Sequence, residues 1–160
     1  INKNSVLLYK RICSSLLPNN YYDGFPIHTC CSEGQLETFQ RVMGILNTVV
    51  PNCGICRENI QLLTCHAICS EYQDQFSEVH ISEMNPKMVD SIIFFIPFEF
   101  VEIIYNSCKD VKFPNSMVSI TTFMCTVGQG ECNAEKFIHS LLTYSTFNIT
   151  AKIIKSPVLN

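Results

Sequence analysis

Residues 89–97 read VDSIIFFIP, and the fold class turns on them. Val89 and the run from Ile92 to Ile96 are β-branched or aromatic, the side chains that fit a pleated, partly buried surface. Pro97 suits the first turn of a helix, where its missing N–H would lack an intrahelical acceptor anyway. A strand therefore runs directly into a helix, and the chain is mixed rather than all-helical. Upstream, Phe76, Val79 and Ile81 lead into Asn85-Pro86, which makes the segment a strand, turn and strand.

Downstream, Phe98, Val101, Ile104 and Tyr105 recur at helical spacing as far as Cys108, and Lys109-Asp110 follows. A short apolar helix is expected near Val118 to Cys125, then a loop carrying Gly128 and Gly130 between Cys125 and Cys132. Asn133 is placed to cap a further helix with Phe137, Ile138, Leu141 and Leu142 inside. Phe147, Ile149, Ala151 and Ile153 then alternate with polar residues, the pattern of a half-buried strand able to join the hairpin.

The N-terminal half has a helical period throughout. Leu7, Leu8, Ile12 and Leu16 mark an opening helix, and Pro18-Asn19-Asn20 and Asp23-Gly24 a loop. Leu36, Phe39, Met43, Leu46 and Val50 follow Ser32 as an amphipathic helix stopped by Pro51. A third helix runs from Cys53 to Cys69 with Ile55, Ile60, Leu62, Leu63 and Ile68 as its apolar positions. The expected fold is α+β: several helices packed around a small sheet of about three strands, disulfide-rich, with 1–160 as a single domain lacking flanking segments.

Composition narrows the function. A chain of 160 residues can bury one sizeable core. It is 47% hydrophobic and 16% charged, which leaves apolar side chains to spare for something beyond the core. Net charge is −3 with 11 scattered basic residues, so no footprint for nucleic acid exists. The longest apolar run, SIIFFIPF, falls short of the roughly 20 residues a membrane span needs. The opening at Ile1, with neither Met nor a signal-peptide pattern, leads us to expect an excised or processed segment. Ten cysteines read as a disulfide framework in an oxidising compartment, and Asn148-Ile149-Thr150 is a glycosylation sequon.

Catalytic and metal chemistries fit poorly. Cys53-Gly54-Ile55-Cys56 has redox spacing but no strand before it. Cys53, Cys56, Cys65, Cys69 and His66 resemble zinc ligands, yet zinc would explain four cysteines where disulfides explain ten. His28, His66, His80 and His139 form no nucleophile motif, and carboxylate pairs such as Glu99 and Glu102 sit on helix faces expected to be solvated. We expect no enzyme, no cofactor and no metal.

Cys30 to Phe39, CCSEGQLETF, carries the remaining signal. Adjacent cysteines are too close for an unstrained bond, so each looks elsewhere and together they anchor a helix start. Ser32 and Gln35 form a capping box, Ser32 accepting from the Gln35 N–H and the Gln35 amide reaching back to the Ser32 N–H. Gly34 is a poor first-turn residue for that purpose alone, and would let a bulky group approach.

That stretch, with Cys53-x-x-Cys56, Cys65-x-x-x-Cys69-Ser70, IYNSCKDV and CNAEKFI, resembles the luminal N-terminal domain of the Niemann-Pick type C1 protein and its intestinal relative, from about Ser5 to Ser156. The resemblance implies a sterol-binding domain of a polytopic membrane protein, in the late endosomal or lysosomal lumen or on the outer face of the gut epithelium. A soluble carrier, the Niemann-Pick type C2 protein, would deliver cholesterol into a pocket that buries the 3β-hydroxyl. The family's pocket glutamine falls at Gln35, so cap and sterol contact compete as readings of one amide.

The resemblance further implies pocket-lining roles for Thr38 and Ile68, although a threonine is usual where Ile68 stands. It implies carrier-dependent transfer at Phe123 and Met124, where better-known members have two leucines, and a pocket mouth at Phe147 and Ile149, with Thr146 in place of a usual proline. It pairs Cys13 with Cys65, Cys31 with Cys69, Cys56 with Cys108 and Cys125 with Cys132, and sends Cys30 and Cys53 to partners elsewhere. The family's second hydroxyl-contacting residue, an asparagine, has no counterpart. The alternation at Phe147 and Ile149 puts Asn148 on the other face, where a glycan would not block entry. Two alternatives stand beside this reading: a secreted carrier of other hydrophobic ligands, and a cysteine-stapled interaction module with no cavity.

Overall fold

Two compact units, Ile1–Gln73 and Asp74–Asn160, divide the chain in the computed structural model. Residues 3–18, 21–22, 26–50, 54–125, 131–143 and 149–155 are described. Expectations placed on Asn19, Asn20, Asp23, Gly24, Pro51, Cys53, Gly128, Gly130, Thr146, Phe147 and Asn148 lie outside them. The class is α+β and disulfide-rich.

The first unit holds α1 (Lys3–Ile12), α2 (Glu33–Val49) and α3 (Gly54–Cys69), with a single 3-10 turn at Ser14–Leu16 between the first two. Its core joins Tyr9, Ile12 and Cys13 to Cys31, Leu36, Phe39, Met43, Cys65 and Cys69. The helical spacing of α2 thus reads correctly. In α1 the buried stripe includes Tyr9, which the sequence did not single out, while Leu7 is 62% exposed. Rotation explains it: the Cys13–Cys65 disulfide turns the helix so that positions 9, 12 and 13 face inward. Ile55, taken as apolar lining of α3, is likewise exposed.

The second unit holds β1 (Ser77–Ile81), β2 (Val89–Pro97), α4 (Phe98–Cys108), α5 (Ile120–Cys125), α6 (Ala134–Thr143) and β3 (Ile149–Ile154). The sheet order is β1-β2-β3, antiparallel then parallel. A parallel neighbour needs a long crossover, which the α4–α6 segment supplies. Central β2 buries Phe94 and Ile96 on one face, in register with buried Ala151 and half-buried Ile153 of β3. Val101, Ile104, Phe137 and Ile138 of α4 and α6 complete this core.

Two boundaries differ by a residue or two from the sequence reading. Pro97 is the N-cap of α4 rather than its first helical residue, because its ψ of 136° still belongs to the strand. The helix expected near Val118 starts at Ile120. Before it lies a turn in which Ser116 N–H donates to the Phe113 carbonyl, with Pro114 second and Asn115 at φ 57° third, the requirements of a type II turn.

Candidate functional site

The first turn of α2 is built from both of its flanks. The Cys31–Cys69 disulfide ties it to the C-terminus of α3. The last carbonyl of α3, on Cys69, accepts from the Thr29 hydroxyl at 2.7 Å and the Cys30 N–H at 3.3 Å. The N-terminus of one helix is thereby held against the C-terminus of another, with their dipole ends complementary. Cys30 itself is exposed and has no disulfide partner among the described residues.

Gln35 stands in the capping box: Ser32 N–H donates to Gln35 Oε1 at 2.8 Å, and Gln35 N–H donates to Ser32 Oγ at 3.3 Å. The side chain is half-buried. Because Ser32 offers a donor, the amide must present its oxygen there, which fixes which way the amide points. A primary amide has two acceptor sites and two N–H donors. The cap uses one acceptor site, so the two Nε2 donors and a second lone pair remain uncommitted among the described residues. Cap and hydroxyl recognition are then compatible uses of the same side chain.

Nothing lies within 4 Å of where a Cβ on Gly34 would stand. The protein's own packing therefore does not require glycine there, and the space in front of the turn is open. One helical turn on, the Thr38 hydroxyl donates to the Gly34 carbonyl at 2.9 Å and accepts from an Arg41 guanidinium nitrogen at 3.3 Å. Ile68 of α3 is half-buried and packs on the unit's core.

A cleft of about 180 Å³ lies in the same unit, lined by Tyr9, Leu16, Leu17, Tyr21, Ile27 and Glu71 among others. Gln35 and Thr38 do not line it, and it is smaller than the roughly 300–1,000 Å³ usual for ligand pockets. Sequence reasoning did not find this cleft; its signal was the aromatic pair Tyr21-Tyr22 beside Pro26. Burial pushes the Tyr9 phenol above its ordinary 10.0, against a lowering hydrogen bond to Thr29, while the charges of Glu71 and Cys30 add to the rise. Burial lowers the His66 imidazole below 6.5.

In the second unit, Phe123 is 52% exposed at the surface of α5 and packs edge-on against Phe113 at 5.1 Å. Met124 beside it is half-buried, and the Cys125–Cys132 disulfide closes the loop that follows. Ile149 is half-buried opposite Ile92. Cys108, and Cys56 in the first unit, are each in a disulfide. With Cys56, Cys65 and Cys69 all oxidised, three of the four thiolates a zinc site would need are already spent.

A family model described as the Niemann-Pick C1 N terminus matches residues 1–156. The "NPC1-like intracellular cholesterol transporter 1" of Homo sapiens is 27% identical over 144 residues, covering 87% of this chain and 10% of its own length. The Rattus norvegicus protein of the same description is 30% identical over 139 residues, covering 82% and 10%. The "NPC intracellular cholesterol transporter 1" of Sus scrofa is 26% identical over 120 residues, covering 70% and 9%. The chain thus spans about a tenth of the length of the curated relatives it matches.

Proposed function

The chain belongs to the Niemann-Pick C1 N-terminal family, and from that premise we propose that it binds cholesterol or a related sterol in an apolar pocket, without catalysis, and passes it on. Gln35 reads the 3β-hydroxyl. The observation that carries this is the oriented amide: the Ser32 N–H holds Oε1, leaving the Nε2 donors for a hydroxyl oxygen. Burying a hydroxyl without a partner costs about 1–3 kcal/mol, so this contact is worth roughly tenfold in affinity. The Thr38 hydroxyl has given its proton to the Gly34 carbonyl and one lone pair to Arg41, which leaves a sterol its methyl group and one acceptor lone pair.

Apolar residues do the rest. In the first unit Ile68 offers the sterol apolar contact; in the second, Phe147 and Ile149 have that role and exposed Phe123 with Met124 receives the soluble Niemann-Pick C2-type carrier. The domain acts on the luminal or extracellular side as part of a larger membrane protein, with a glycan at Asn148. Among the described residues no helix is long and apolar enough to cross a membrane.

Saturable binding of labelled cholesterol to the protein with its native flanks tests the reading. The 3α epimer should compete poorly. Gln35→Glu should bind roughly tenfold more weakly while keeping the helix start, because a glutamate closes the same capping box but has no N–H to give. Equal competition by the epimer, or Gln35→Glu binding at full strength, would remove the Nε2 donation to the hydroxyl from the mechanism. Tight binding of fatty acids with no sterol preference would favour the general carrier instead.

A further inference from the structure

Among the described residues strand β1 borders the sheet, with β2 as its one neighbour. Two bonds set its alternation: Phe95 N–H donates to the Phe76 carbonyl at 2.9 Å, and Ser82 N–H to the Met88 carbonyl at 2.9 Å. Hydrogen-bonded positions alternate along an antiparallel ladder. Glu78 and His80, opposite Ile93 and Ser91, therefore spend their backbone groups on β2, and Val79 and Ile81 turn theirs outward. Glu78, Val79, His80 and Ile81 are all exposed. Proteins commonly blunt such an edge with charged side chains, Lys above all, or with Pro; β1, SEVHI, has neither Lys nor Pro, and its one carboxylate, Glu78, has His80 two residues on. Its bulge comes at the last step, between His80 and Ile81, so Glu78 to His80 is regular.

We propose that this edge pairs antiparallel with β1 of a second copy of the chain, about a two-fold axis at Val79. Three two-fold registers within Glu78–His80 keep outward-turned positions opposite one another. One centred on Glu78 would set two Glu78 carboxylates face to face. One centred on His80 would oppose two imidazoles. Only the register centred on Val79 sets Glu78 opposite His80 of the second copy, and symmetry makes that contact twice.

The geometry suits it. His80 Nε2 lies 3.6 Å from Glu78 Oε1 within one strand, so both side chains share a sheet face. Across the axis each Glu78–His80 contact is a non-hydrogen-bonded pair, the kind with the closer Cα atoms, about 4.5 Å. Val79 exchanges its two outward backbone bonds with its own symmetry mate. On the other face Val79 and Ile81, 49% and 59% exposed, gain cover. Two three-stranded sheets become one of six strands.

The test is sedimentation of the full chain, native flanks included, over a series from roughly 1 µM to roughly 0.1 mM. A concentration-dependent dimer is expected. His80→Glu opposes two carboxylates at each contact and should raise the dimer dissociation constant about tenfold; adding Glu78→Lys restores opposite charges and should recover most of that loss. Both side chains are exposed, so neither change threatens folding. A chain that stays monomeric throughout overturns the proposal. So does a dimer indifferent to His80→Glu, or one that the double replacement fails to rescue.

Discussion

The two units reach a defined structure by different means. In the first, three helices are stapled by Cys13–Cys65 and Cys31–Cys69, and the start of α2 is fixed by bonds among residues 29–35 and the end of α3. In the second, a nine-residue strand is fixed by register with two neighbours and by the helices packed with it. Local polar geometry and cross-links place a candidate polar contact, Gln35. Long-range register and packing half-bury Ile149 opposite Ile92 and leave Phe123 exposed on α5. In ligand sites generally, polar groups of the first kind fix orientation and apolar area of the second kind supplies burial.

Breaking each unit by its own device should have the largest effects. Removing Cys31 and Cys69 together as serines releases a loop of 38 residues, worth about 4 kcal/mol in the chain-entropy account. Phe94→Ala in the second unit, where the ring is 3% exposed, should cost about 3–5 kcal/mol through the cavity it leaves. Denaturant unfolding measures both. Hydrogen exchange sharpens the contrast, because the first change should open amides of α2 and α3 and the second those of β2 and β3. Removing Cys125–Cys132, which closes only seven residues, should cost about 2 kcal/mol.

Smaller effects separate the cap from the ligand contact. Gln35→Ala deletes half of the capping box and should lower stability by about 0.5–1 kcal/mol, whereas Gln35→Glu should be nearly neutral. If both variants lose stability equally, the amide nitrogen has a structural partner that the capping box does not require.

The least effect is a pH dependence in the first unit. Burial lowers the His66 pKa below 6.5 in the folded state, so below that value the unfolded chain binds the proton first. Stability is then lost as pH falls through 6.5 toward the depressed folded value. The raised Tyr9 phenol acts at the other end: above 10.0 the unfolded chain ionises first, and stability is lost as pH rises toward the folded value. Thermal melts of His66→Gln should be flatter on the acid side, and those of Tyr9→Phe flatter on the alkaline side.

Much of this was legible without coordinates because it is local or periodic. The capping box needs only Ser32 and Gln35 three residues apart, and Leu36, Phe39 and Met43 declare their face by spacing. The change from helical period to the β-branched run at Val89–Ile96 declares the mixed fold, and the alternation at Ile149, Ala151 and Ile153 the third strand. The turn at Phe113–Ser116 is also in the letters, as Pro before Asn.

What the tertiary structure alone decided concerns groups whose partners are distant in the chain. That β3 runs parallel to β2, with Ala151 beside Phe94, depends on a crossover whose handling no local pattern records. That Tyr9 rather than Leu7 faces inward depends on a disulfide 52 residues long in sequence. The freedom of the Gln35 amide and the outward backbone of Val79 are likewise facts about which bonds are already spent. Sequence names the donors and acceptors; how they are apportioned is settled when the chain packs, because each lone pair and each N–H is shared among neighbours that only the fold brings within reach.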